Sequence, residues 1–312
     1  MKSYFAILFS AFIFFGFVIY FSFKIDNKLS EYKDIKEDIA KQLNFKERIL
    51  NGWEWLPGNE IGKSKREYWE KQETKADNVY GFVNRYSIFL ILTVVIFVVF
   101  NVLFYQYKPI KYNVYGLLMV FSAFAFLFIG LKSPFIEIFA YSRDFTVKFP
   151  IDINLNDYPL ISMLDLGEWG KIKYNFEATF EGRTYYMYQN KSIVNLLEIL
   201  YTGGNFIVAI MVGLFSVIFP IVKLTSSIFI IFNPHSKRSQ SLFVYIKNLG
   251  KWSMADVFIA AIFLSIFAYT SLNVGVETGA RTLYGTYYFL LFVLLSIGSG
   301  YYINKVLVVQ KF

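Results

Sequence analysis

The 312-residue chain contains no cysteine and a single histidine, His235. The first absence removes disulfides, cysteine-ligated zinc, iron–sulfur clusters and thiol nucleophiles together, and it leaves the redox compartment unreadable. The second leaves no set for a histidine metal site or a Ser/His/Asp triad. No phosphate-cradling glycine loop, zinc-ligand spacing or ATPase motif is present. These absences argue against an enzyme and imply no metal or cofactor. Any energy input would come from an ion gradient, a partner, or lipid moving down a gradient.

What is abundant is apolar. The composition is 56% hydrophobic and 21% aromatic with a mean hydropathy of +0.44, above the roughly 45–50% apolar share of soluble domains. An integral membrane protein is expected. Six apolar runs approach or exceed the about 20 residues a bilayer crossing needs. They run approximately from Tyr4 to Phe23, Ser87 to Phe104, Val114 to Leu131, Asn205 to Phe232, Trp252 to Ser271, and Thr286 to Val306. The first is followed by "FSFKIDN" rather than a small-residue cleavage site and reads as a retained anchor. The net charge of +8 finds its explanation in the short loops rather than in nucleic acid. Lys108 and Lys111, then Lys237, Arg238, Lys247 and Lys251, then Lys305 and Lys311 mark three cytoplasmic segments. Both termini are expected in the cytoplasm, with segments 24–86 and 140–204 outside.

The first outer segment mixes charges of both signs and shows helical spacing through Leu29, Ile35, Ile39, Leu43 and Leu50. A helical hairpin extending the first two spans is expected, with Trp53, Trp55, Tyr68 and Trp69 as an aromatic cluster. It is either a solvated cap or a docking surface. The second outer segment alternates in "FTVKFPIDINL", where Pro150 suggests an edge strand. It alternates again in "KIKYNFEATFEGRTYYMYQN", with a turn expected at Glu181 and Gly182. The expected fold is an all-α polytopic membrane protein of six transmembrane helices, with a small extracytoplasmic antiparallel sheet between the third and fourth. Residues 1–108 form a two-helix membrane hairpin with a charged periplasmic lobe (24–86). Residues 109–312 form a four-helix unit with the sheet (140–195).

Within that unit, Pro134 ends the third span with Glu137 just beyond, and Pro220 and Lys223 lie inside the fourth. Trp252, Ser253, Met254, Asp256, Val257 and Phe258 open the fifth, and Gly285 to Phe289 enters the sixth. This set resembles the paraquat-inducible protein A family of bacterial inner-membrane proteins, which includes the lipophilic envelope-spanning tunnel protein A. The Trp-Ser-Met-x-Asp-Val-Phe signature is its most specific element. The resemblance runs from about Tyr112 to the C terminus. Family members typically carry two such modules with cysteine-rich zinc ribbons; one module and no ribbon are present here. The resemblance implies an inner-membrane component that loads or extracts lipid for a periplasmic mammalian-cell-entry domain protein. The alternative is a non-transporting scaffold or regulatory subunit contacting other envelope complex subunits.

A charge at mid-membrane costs roughly 2.5–3.5 kcal/mol on insertion scales. Asp256 lies about one helical turn past Trp252, and Lys223 can snorkel toward the same surface. An ion pair fixing helix register across a 233–251 loop is one reading. A functional group taking a proton or orienting a lipid headgroup is the other. Glu137, Arg143, Glu277 and Arg281 read as ties between sheet and helices. Thr225, Ser226 and Ser227 read as interhelical hydrogen-bond glue.

Overall fold

The computed structural model describes residues 2–55, 60–154, 171–252 and 276–309. Helix α1 (Lys2–Gln42) and helix α3 (Glu60–Tyr105) form a long antiparallel hairpin, closed at its far end by α2 (Phe45–Leu50) and a 3-10 turn (Gly52–Trp55). The reason α1 runs unbroken through a sharp change of composition lies in its buried stripe. Ile7, Ala11, Phe14, Val18, Ile25, Leu29, Tyr32, Lys36 and Ile39 recur at helical spacing on one face. Only the opposite face changes, from Phe12, Ile19 and Phe23 to acidic and basic side chains. The stripe stays against α3 while the other side passes from lipid to water. The expected continuation to Leu50 does not occur. Asn44 interrupts the helix, its side chain accepting the Lys46 amide at 2.9 Å as the N-cap of α2, and Leu50 is exposed.

Helix α4 (Lys111–Lys132) leads into β1 (Ile136–Asn154), followed by β2 (Lys171–Lys191) and α5 (Ile193–Thr202). The next apolar run is α6 (Phe206–Gly213), one π turn (Leu214–Ile218) and α7 (Phe219–Phe232). The 233–251 segment is not a loop: most of it is α8 (Lys237–Trp252), an amphipathic helix packed on α7. A strand β3 (Glu277–Thr282) precedes the last helix, α9 (Tyr284–Val309). Among the described residues, five helices are long and apolar enough to cross a membrane. The expected fifth span, 252–271, lies beyond Trp252 outside the described residues.

The sheet is antiparallel with order β2-β1-β3. Its three strands are not the expected three: residues 171–191 form one strand instead of two, and β3, which pairs with Ile136 to Tyr141 of β1, is the addition. Among the described residues, β2 alone accompanies β1 beyond Tyr141, so Pro150, opposite Asn175, does lie where β1 is an edge. The turn expected at Glu181 and Gly182 is instead a bulge within continuous β2. Gly182 has φ +82° and Asp144 opposite has φ +45°, with the Gly182 amide donating to Asp144 Oδ1 at 2.8 Å. One core joins the membrane helices; a second, built on Tyr32, Ile35, Ile39, Leu43, Val79, Tyr141 and Tyr185, seals the lobe to the sheet.

Candidate functional site

Strand alternation puts Glu137, Phe139 and Tyr141 on the sheet face that meets α1 and α3. Register then fixes their neighbours: Asn190 and Arg281 flank Glu137, and Tyr188 and Gly279 flank Phe139. The result is a polar row, Asn190–Glu137–Arg281, in which Asn190 and Glu137 are buried and Arg281 is exposed at the β3 edge. Glu137 is buried and accepts the Tyr32 hydroxyl at 2.9 Å. Arg281 lies over the Tyr80 ring at 4.8 Å. Burial disfavours its charge, but the oxygens of Tyr32, Tyr80 and Glu137 outweigh that and hold its pKa above the ordinary value. Burial, and then the Glu137 carboxylate, push the Tyr188 hydroxyl far above the usual tyrosine range. Among the described residues, Tyr188 Oη and both polar atoms of the Asn190 side chain are buried with no partner in hydrogen-bonding geometry.

A second polar node fastens the tip of the lobe. Arg48, fully buried, donates from Nε to Glu54 Oε2 at 2.9 Å and from Nη1 to Thr184 Oγ1 at 2.9 Å. It also donates to the carbonyls of Arg183 and Glu181 at 3.2 and 2.9 Å. Lys65 pairs with the other Glu54 oxygen. The expected aromatic cluster is divided: Trp55 packs on Phe149 and Phe180, Trp69 lies under the Arg183 guanidinium at 4.2 Å, and Trp53 is exposed. The four charges expected to tie sheet to helices divide likewise. Glu137 is buried in the polar row with Arg281 exposed beside it, while Arg143 and Glu277 form an exposed 3.0 Å pair away from it. Arg48 and Glu54 are not legible in "FKERIL" or "GWEW" as buried charges. The only hint is a glutamate held between two tryptophans.

In the membrane-spanning part, Pro220 is buried at the start of α7. Proline lacks the amide its helical turn would use, and the preceding π turn accommodates this, with the Phe219 amide reaching Leu214 O. Lys223 follows, half-buried, and no carboxylate among the described residues lies within 4 Å of it. Its expected partner Asp256, with Ser253, Met254, Val257 and Phe258, lies outside the described residues, as does the side chain of Trp252. Ser227 Oγ donates to the Lys223 carbonyl within its own helix at 2.7 Å, and Thr225 likewise donates back to Ile221, so among the described residues neither hydroxyl joins helices. Pro134 forms a knot just past the C-terminal end of α4. Its carbonyl accepts the Gly285 amide at 3.0 Å, while the Phe135 carbonyl accepts the Leu283 amide at 3.0 Å and Thr286 Oγ1 at 2.7 Å.

Residues 175–310 match the family model of Paraquat-inducible protein A. The matched stretch begins inside β2 and takes in β3 and α5 through α9, together with Pro220, Lys223 and the Trp252–Phe258 signature. It is narrower than the resemblance from Tyr112, leaving Pro134, α4 and β1 outside. No curated protein matches at the same stringency, and no solved structure does. The paraquat-inducible protein A stretch and the apolar helices together make this a multi-pass membrane protein. The match also crosses the candidate site: Tyr188, Asn190 and Arg281 lie within it, while Tyr32, Arg48 and Glu137 do not.

Proposed function

We propose that the protein is an inner-membrane component of a bacterial envelope lipid-transport system, loading or extracting lipid for a periplasmic partner without catalysing a reaction. The single observation that carries this is the paraquat-inducible protein A match over residues 175–310, which adds to the signature at Trp252–Phe258. The geometry is consistent with a partner-facing role. Beyond Arg143 the β1–β2 ladder has exposed ion-paired rungs, Lys148 with Glu177 and Lys173 with Asp152, alongside exposed Phe149, Ile153 and Tyr174. By loop charge, the termini lie in the cytoplasm and the lobe and sheet in the periplasm.

The second reading is a non-transporting scaffold, favoured by the way Arg48 and Glu137 tie lobe to sheet. Mass spectrometry of protein extracted gently from native membranes distinguishes the two. Stoichiometric phospholipid with a co-purifying mammalian-cell-entry domain protein is the outcome expected for transport. A different envelope complex with only bulk lipid would replace it with the scaffold reading.

A further inference from the structure

Where α1 and α3 cross the membrane they enclose a groove of about 500 Å³, open to the side. Its floor is the stacked pair Phe14 and Phe97, ring centroids 4.2 Å apart. Its length is informative. The walls run from Ser10 to Phe21 and from Phe89 to Asn101, rises of about 16 and 18 Å at about 1.5 Å per residue. One leaflet's hydrocarbon is about 15 Å deep, whereas a partner's transmembrane helix would need a track of about 30 Å. The groove stops where Ser10 Oγ donates to Asn101 Oδ1 at 3.2 Å, and beyond it Ile7 and Tyr105 are fully buried.

The other end is cationic. Lys24 and Lys28 continue the α1 wall one and two turns past Phe21, and Arg85 continues the α3 wall one turn past Phe89. Lys28 Nζ and the Arg85 guanidinium lie 5.5 and 5.6 Å from the Phe82 ring between them. Lys28 pairs with Glu31 at 2.6 Å. Lys24 and Arg85 have no carboxylate within 4 Å among the described residues.

An apolar slot one leaflet deep, capped by Lys24 over the Tyr20 ring at 5.8 Å and Arg85 over the Phe82 ring, both without a carboxylate partner among the described residues, has the dimensions and charge of a phospholipid. We propose that the α1–α3 groove binds one acyl chain of an anionic phospholipid from the leaflet on the lobe side, with its phosphate held by Lys24 and Arg85. The site belongs to the N-terminal hairpin, outside the matched family stretch, and it stands whether or not the protein transports lipid.

The test uses the full chain in nanodiscs containing phosphatidylglycerol or phosphatidylcholine with a photoreactive acyl chain, and adducts mapped by mass spectrometry. Adducts at groove residues such as Ile13 and Ile96 should favour phosphatidylglycerol by at least about tenfold, as expected when roughly two cations each contribute near a membrane surface. Lys24→Gln with Arg85→Gln should abolish that preference, and Thr93→Trp should remove the adducts with either lipid. Equal labelling by the two lipids would overturn the proposal. So would a preference that survives loss of both cations. So too would a photoreactive residue at Ile96 that captures a protein helix in native membranes.

Discussion

Arg48 shows what a sequence conceals at the scale of one side chain. Its neighbours are charged and its helix is short, so it reads as solvent-facing, yet it is fully buried with four hydrogen bonds across three segments. Removing one partner of a buried ion pair typically costs about 3–5 kcal/mol, because the remaining charge is stranded. Arg48→Ala should lower lobe stability by that order in thermal unfolding of the detergent-solubilised protein. Arg48→Lys should recover only part, since one ammonium cannot span the fork-shaped set of acceptors. Tyr188 makes the opposite prediction. Its hydroxyl is buried with no partner in hydrogen-bonding geometry among the described residues and is harder to ionise than in the unfolded chain, so the neutral group's contribution is complete below the ordinary value of 10.0 and falls as pH rises above it. Tyr188→Phe should therefore leave stability at pH 7 unchanged or slightly higher, and make its decline above pH 10 shallower. Of these polar groups, buried Glu137 and exposed Arg281 were legible as ties because each stands beside an apolar boundary. Arg48 and Asn190 have no such marker.

At the scale of elements, periodicity carried the helices and missed what depends on close approach. The apolar stripes of α1 and α3 are plain in sequence, and so is the alternation of β1 and β2. Strand β3 is short, and Gly279 at its centre weakens any strand signal. That glycine is required because a side chain there would lie 2.5 Å from the Phe139 ring covering it. The π turn is equally silent, although Pro220 two residues after it supplies its cause. Gly285 joins α9 to the end of α4, and a methyl group there would meet the carbonyl oxygens of Ser133 and Pro134 at 2.4 and 2.5 Å. Both are backbone and cannot rotate away. Gly285→Ala should cost about 1–3 kcal/mol as an overpacking substitution, lowering both the melting temperature and the yield of folded protein. Gly300→Ala in the same helix, where nothing lies within 4 Å, should be neutral or mildly stabilising.

For the whole molecule, a division near Pro109 describes the order of the chain better than its packing. Hairpin and sheet share a core through Tyr32, Ile39, Tyr141 and Tyr185, long-range contacts that no local pattern announces. The sidedness proposed from loop charge can be measured directly, because a chain without cysteine accepts single labels cleanly. In spheroplasts an impermeant maleimide should modify Ser64→Cys and Lys148→Cys at once. It should reach Tyr107→Cys and Lys237→Cys only after permeabilisation; the reverse pattern would invert the orientation. The unbroken course of α1 has a mechanical consequence. From Lys24 to Gln42 the helix extends about 27 Å as a single rod, and just past its end the Leu43 carbonyl accepts the Tyr185 amide of the sheet at 2.8 Å. A tilt of about 10° within the bilayer, well inside the range such helices adopt, would sweep that end sideways by about 5 Å. The hairpin is thus a lever: bilayer thickness at its foot and sheet position at its head are one coordinate.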